Sequence, residues 1–183
     1  RTFRKKDSNT PVILMGYLNT VEIYGYERFA TDAQAAGVDG TILVDLPPEE
    51  CSELIRVWQR HQLQSIFLCS PTTSHKRVEL IASYNQAYVY YVSLKGVTGA
   101  SSLCVDSIKE HYLDCKTKLN LPLMVGFGIK NPQIGGQIAS FSDGIIVGAS
   151  FLNAIGAVEE QKILETAYNF LKPFRTTLDL IDS

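Results

Sequence analysis

The sequence predicts a parallel α/β fold, with strands and helices alternating along the whole chain. Three observations carry that expectation. Short apolar runs recur, and each is apolar for most of its length, as in strands buried on both faces. Longer stretches between them repeat their apolar residues at helical spacing. The two kinds of segment follow one another in strict succession, which calls for a parallel sheet with right-handed crossovers. The 183 residues fit one domain, and 45% apolar with 20% charged residues is ordinary for a globular protein.

The strands are expected at Val12 to Met15, Gly40 to Val44, Ser65 to Cys69, Ala87 to Val92, Leu123 to Val125 and Gly144 to Val147. The first helix is expected at Tyr26 to Ala36. Phe29, Ala30, Ala33 and Ala36 share a face there, and Gly37 supplies the C-cap. Glu49 to His61 carries Leu54, Ile55 and Trp58. Ser74 to Tyr84 carries Val78, Leu80 and Ile81, with Ser74 as N-cap. Asp106 to Lys118 follows, then Pro132 to Ser140 with proline at an early helical position. Val158 to Leu171 is the last helix, and Pro173 is expected to stop it. An open doubly wound sheet and a (β/α) barrel both fit this order. No G-x-G-x-x-G follows the first strand, which disfavours a dinucleotide-binding sheet.

The net charge of −2 gives no basic excess of the kind a nucleic-acid binder needs. Arg1, Arg4, Lys5 and Lys6 read as a solvated helix end. No apolar stretch has the length to span a bilayer, and no secretory signal is present. The cysteines Cys51, Cys69, Cys104 and Cys115 form no C-x-x-C pair and have no histidine at metal-ligand spacing. Cys69 reads as a small core residue, His61, His75 and His111 as surface residues, and the compartment as a reducing cytoplasm. No metal is expected.

The candidate chemistry lies at strand ends. In Pro122 to Pro132, "PLMVGFGIKNP", a strand ends in Gly126 and Gly128 around Phe127, just before a helix. In barrels the active site sits at the C-terminal ends of the strands, and a phosphate often lies near the last two of them and a short extra helix. Backbone N–H groups hold such an anion, and they approach it closely only where no Cβ intervenes. "GIIVGAS" ends in Gly148, and Ala149-Ser150 open a short segment, Phe151 to Ile155. "SLKGVTGAS" brings Gly96, Thr98 and Gly99 after a third strand. One such glycine is commonly only a turn residue; three at successive strand ends favour a phosphate site. Asp45, at a strand end before Pro47-Pro48, either points to the active-site face or caps a loop. Among Tyr17, Tyr90 and Phe127, Tyr90 is best placed to touch a planar ligand.

Four segments carry a family likeness. "TPVILMGYLN", "AGVDGTILVDLPPEE", "YVYYVSLKGVTGA" and "GFGIKNP", in this order and spacing, resemble the tryptophan synthase alpha subunit family over nearly the whole chain. The resemblance implies a TIM (β/α)8 barrel, a lyase that cleaves indole-3-glycerol phosphate to indole and glyceraldehyde 3-phosphate. It implies a beta-subunit partner in an α2β2 complex, with no cofactor in this subunit, since pyridoxal phosphate belongs to beta. It places the phosphate on Thr98, Gly99, Gly128, Gly148 and Ala149. It places the indole ring against Leu14, Ile42, Val44, Leu68, Tyr90 and Phe127, and the beta-facing rim at Asn19, Asp45 and Pro47. Ala149 stands where the family often has Ser, a small change for a backbone contact. The family's catalytic glutamate and aspartate, which deliver a proton to the indole ring and act on its nitrogen, match no motif here. The runs above make about six strands against the eight that close a barrel. Residues 1–183 are therefore expected to be one partial barrel domain, roughly strands three to eight, with the first two strand–helix units missing. A different indole-glycerol-phosphate barrel enzyme and a non-catalytic phosphate-metabolite-binding barrel remain as alternatives.

Overall fold

Strand β1 (Ile13–Gly16) leads into helix α1 (Leu18–Tyr24), and Gly25, at φ 89°, ends α1 and opens α2 (Tyr26–Ala36). The computed structural model that shows this describes residues 1–84, 87–93, 102–126 and 128–181. Helix α2 has the expected bounds. Gly37 adopts the left-handed conformation and returns its N–H to Ala33 and Gln34, the stop the sequence signals. Then follow β2 (Gly40–Leu43), α3 (Ser52–Arg60), β3 (Gln64–Ser65), β4 (Leu68–Cys69), α4 (His75–Tyr84) and β5 (Val89–Val92). After them come α5 (Ser102–Lys116), β6 (Leu123–Gly126), α6 (Pro132–Ala139), β7 (Gly144–Ile146), α7 (Ala149–Gly156) and α8 (Ile163–Asp179). The strands form two sheets, ordered β1-β2-β3 and β4-β5-β6-β7. The pairs β1–β2, β2–β3 and β6–β7 are parallel, as the apolar runs require.

Four expectations are corrected. The single strand Ser65 to Cys69 is two short strands, and Ile66 and Phe67 between them belong to neither. Helix α1 was not expected: its seven residues are too few to show a period. Helix α5 starts at Ser102 rather than Asp106. Pro173 does not end the last helix, which runs through it to Asp179. Proline inside a helix costs about 3 kcal/mol. Burial of Phe174, with its ring 5.4 Å from Phe170, offsets that cost. The basic patch is also more than a solvated end. Arg4 Nε donates to the Gly37 carbonyl at 2.7 Å, Nη1 donates to Thr10 O, and Nη2 pairs with Asp39.

Two compact units divide the chain. One comprises Arg1–Leu68, Ser74–Val89 and Lys118–Leu121; the other comprises Cys69–Thr73, Tyr90–Thr117 and Pro122–Ser183. The core of the first is built on Trp58, which stacks on Phe29 at 5.6 Å and meets Tyr26 edge-on. Its indole Nε1 donates to Thr41 Oγ1 at 2.7 Å. In the second, Tyr112 of α5 lies edge-on to both Tyr91 and Phe141.

Asp143 fastens the start of β6 in the second unit. Its Oδ2 accepts from the Leu123 N–H at 2.7 Å, the Lys116 ammonium at 2.7 Å and the Tyr112 hydroxyl at 3.1 Å. Partial burial pushes this carboxyl up, but the three donors outweigh it and hold the pKa below its ordinary 3.8. The folded state therefore binds the proton less readily than the unfolded chain. The stabilisation is complete well above the unfolded pKa and is lost as pH falls through the folded one. Asp143→Asn is expected to cost about 1 kcal/mol near pH 7, a value discounted for the carboxyl's exposure. Urea unfolding at about pH 7 and about pH 3 checks this: the gap between wild type and variant narrows in acid.

Candidate functional site

Two strand ends of the second unit are joined by one side chain. Ser150, in the first turn of α7, donates its hydroxyl to the Ile129 carbonyl at 2.8 Å. That bond holds the segment after β6, with Gly128 at φ 78°, against the start of α7, with Gly148 and Ala149. Gly128 needs its left-handed backbone and so needs glycine. Gly148 is the N-cap of α7 and offers no side-chain cap. Its Cβ position is open, with no atom within 4 Å. The first N–H groups of α7 have no acceptor within their helix, and both Gly148 and Ala149 are exposed. Helix α6 differs. Asn131 caps it by accepting from the Ile134 N–H at 2.9 Å, and Pro132 supplies no donor at its start. So α7 is the better anion cradle of the two. Thr98 and Gly99, the other expected phosphate residues, lie outside the described residues, as does Phe127. Ser150 was not singled out from the sequence. Its signal is a hydroxyl in the first turn of a helix whose N-cap is glycine.

Gly126 has a different job from the phosphate approach first assigned to it. A Cβ there would sit 2.3 Å from the Tyr90 hydroxyl oxygen and 2.5 Å from its Cζ. The missing side chain therefore makes room for the Tyr90 ring, not for a ligand. Side chains of successive strand residues point to opposite faces. Tyr91 is buried against Tyr112 of α5, so Tyr90 lies on the face away from that helix. Buried Ser93, just past β5, fixes the strand ends: its hydroxyl donates to the Gly126 carbonyl at 3.3 Å.

The first unit carries the other expected residues. In its sheet Leu14 is in register with Thr41, and Met15 with Ile42. Thr41 takes the Trp58 hydrogen bond, so Leu14 shares the helix-facing side. Leu14 borders a cavity with Phe29, Ala33 and Val38 of the α2 layer. Ile42 faces the opposite way, so the structure does not bring Leu14 and Ile42 to one surface. Val44 has the parity of Ile42 and is half exposed just past β2. Leu68 is half-buried and alternates with buried Cys69. Asp45 settles between its two readings as a cap: its Oδ1 accepts from the Leu18 N–H at 2.7 Å, at the start of α1. That bond ties the start of α1, where Asn19 is exposed, to exposed Asp45, while Pro47 is half-buried. Cys69 is in the core as expected, while His61 is tucked beside Glu27 and Gln34 rather than freely solvated. No described group of three or more His, Cys, Asp or Glu could hold a metal ion, and no described helix is long and apolar enough to cross a membrane.

Parallel strands joined by helices place the chain in the α/β class, of the kind found in TIM barrels. The comparisons narrow that class. Residues 1–178 match the family model described as tryptophan synthase alpha chain. The chain is 54% identical over 185 residues to the tryptophan synthase alpha chain of Legionella pneumophila strain Corby, covering 100% of this chain and 68% of that one. The crystal structure of the L. pneumophila subsp. pneumophila alpha chain superposes with a TM-score of 0.90 at 50% identity, again covering 100% and 68%. A chain from a structural study of mutual activation of the tryptophan synthase α2β2 complex of Pyrococcus furiosus superposes at 0.83 with 26% identity, covering 96% and 70%. The chain belongs to the tryptophan synthase alpha chain family, whose members are lyases.

Proposed function

We propose that this chain supplies the phosphate-gripping and ring-binding strands of a tryptophan synthase alpha subunit. The substrate is indole-3-glycerol phosphate, cleaved to indole and glyceraldehyde 3-phosphate. The observation that carries this reading is the Ser150–Ile129 bond, which sets Gly128 beside the open N-terminus of α7. The N–H groups of that first turn, with the partial positive end of the helix, grip the doubly charged phosphate. Thr98 and Gly99 complete the grip by family likeness. In the second unit Tyr90 is offered to the indole ring. Ile42, Val44, Leu68 and Phe127 are named for it by family likeness alone, and Leu14 faces the helices. By family likeness Asn19, Asp45 and Pro47 belong to the docking rim for a beta subunit, which holds the pyridoxal phosphate. This chain needs no cofactor of its own and works in the cytoplasm.

Gly148→Asp tests the phosphate site directly. Its side chain enters open space, so the fold tolerates it, but it places a negative charge where the anion sits. Affinity for glycerol 3-phosphate, read by isothermal titration, is expected to fall at least about tenfold. Unchanged affinity in a folded variant would move the phosphate elsewhere.

A further inference from the structure

The helix-facing side of the second sheet holds a cluster that the lyase reading does not use. Cys69 ends β4 and Cys115 lies in the last turn of α5. Strands β4 and β5 are neighbours in the sheet, and Tyr112, three residues before Cys115 in α5, packs edge-on against Tyr91 of β5. That packing brings the two thiols to one cluster, where each acts on the other, and neither is in a disulfide. They are 2% and 6% exposed, so their contact is sheltered but Cys115 is the more open to a small oxidant. Tyr91 completes the group. It is fully buried, and its hydroxyl has no hydrogen-bond partner among the described residues. Both sulfurs lie within its electrostatic reach, and burial together with these sulfurs pushes its own ionisation up. Tyr91 is therefore a proton donor in search of an acceptor, held beside two adjacent thiols.

We propose that Cys69 and Cys115 form a peroxide-responsive thiol pair, in which oxidation closes a disulfide between β4 and α5. Cys115 as thiolate attacks one oxygen of hydrogen peroxide. The O–O bond breaks, hydroxide leaves, and the sulfur becomes a sulfenic acid. The added oxygen projects beyond the sulfur and gives the Tyr91 hydroxyl the acceptor it lacks. Cys69, already in contact, then attacks the Cys115 sulfur. The S–S bond forms, the S–O bond breaks, and the oxygen departs as water. Two thiols and one peroxide thus give one disulfide and two waters. The cross-link ties the C-terminal turn of α5 to a strand end. The neighbouring Cys115 thiol, together with burial, holds the Cys69 thiol protonated at neutral pH, so the reaction is slow and needs sustained peroxide.

The test treats the intact chain with hydrogen peroxide, blocks remaining thiols under denaturing conditions, and maps peptides by mass without reductant. The expected result is a linked Cys69–Cys115 peptide pair lighter by about 2 Da, restored by dithiothreitol. The oxidised chain is expected to melt roughly 5–10 °C higher than the reduced one, from loop closure in the unfolded state. Tyr91→Phe keeps the ring and its packing, and is expected to slow the linkage roughly fivefold through loss of one neutral hydrogen bond. Two results would overturn the proposal. One is oxidation of Cys51 or Cys104 while Cys69 and Cys115 remain fully blockable. The other is linkage at an unchanged rate in Tyr91→Phe, which would remove the tyrosine from the site.

Discussion

Gly126→Ala is expected to cost about 3 kcal/mol and to dislodge Tyr90, because overpacking a filled site forces off-rotamer side chains and backbone shifts. The new methyl would lie 2.3 Å from the Tyr90 oxygen, well inside any tolerable contact. Neither side can yield easily. Gly126 is buried, and its carbonyl is fixed by the Ser93 hydroxyl and N–H. The damage should appear in the fold and in the site together: a lower urea midpoint and weaker binding of an indole analogue. Coupling gives the decisive control. In Tyr90→Ala the obstructing ring is gone, so adding Gly126→Ala to that background should cost less than about 1 kcal/mol. If the two changes simply add, the two residues do not compete for the same space.

Trp58→Ala is expected to be the most damaging single change in the first unit, at about 3–5 kcal/mol. The residue is 1% exposed and anchors a cluster with Phe29, Tyr26 and Leu54. Its removal leaves a cavity and strips Thr41 Oγ1 of its donor inside the sheet. Far-ultraviolet circular dichroism during urea unfolding measures the loss. Trp58→Phe separates the two contributions. It keeps most of the packing and loses the hydrogen bond, so roughly 1–2 kcal/mol is expected. A Trp58→Phe cost equal to that of alanine would mean that the polar contact, not the volume, dominates. Trp58 is the chain's one tryptophan. In wild type its fluorescence therefore reports unfolding of this unit, while Gly126→Ala perturbs the other.

Local signals that need no partner were legible in the sequence. The bounds of α2 follow from a four-residue apolar face and Gly37, both read within a dozen residues. The start of α6 at Pro132 follows from the proline's fitness for an early helical position, and the structure adds the Asn131 cap before it. The strands were found from their unbroken apolar character. Where the reading failed, the deciding atom came from elsewhere in the chain. Pro173 looks like a stop because its cost is local, while the burial of Phe174 that offsets it is not. Leu14 and Ile42 look equivalent in sequence. The register of β1 on β2 and the Trp58–Thr41 bond put them on opposite faces.

The glycines divide along the same line. That two strand ends carry side-chain-free backbone is a property of the sequence, and so is the family likeness, which rests on the order and spacing of residues. Which glycine faces an anion and which shelters a neighbour's ring is not. Gly126 and Gly128 are two residues apart in one motif, yet one accommodates Tyr90 and the other supplies a left-handed turn. Asp45 likewise became a helix cap only when the Leu18 N–H came within 2.7 Å. Sequence by itself determined the elements, because helix and strand are set by short-range periodicity and capping. Tertiary structure alone decided the job of each exposed polar or side-chain-free position, because that depends on which distant atom folding brings within contact range.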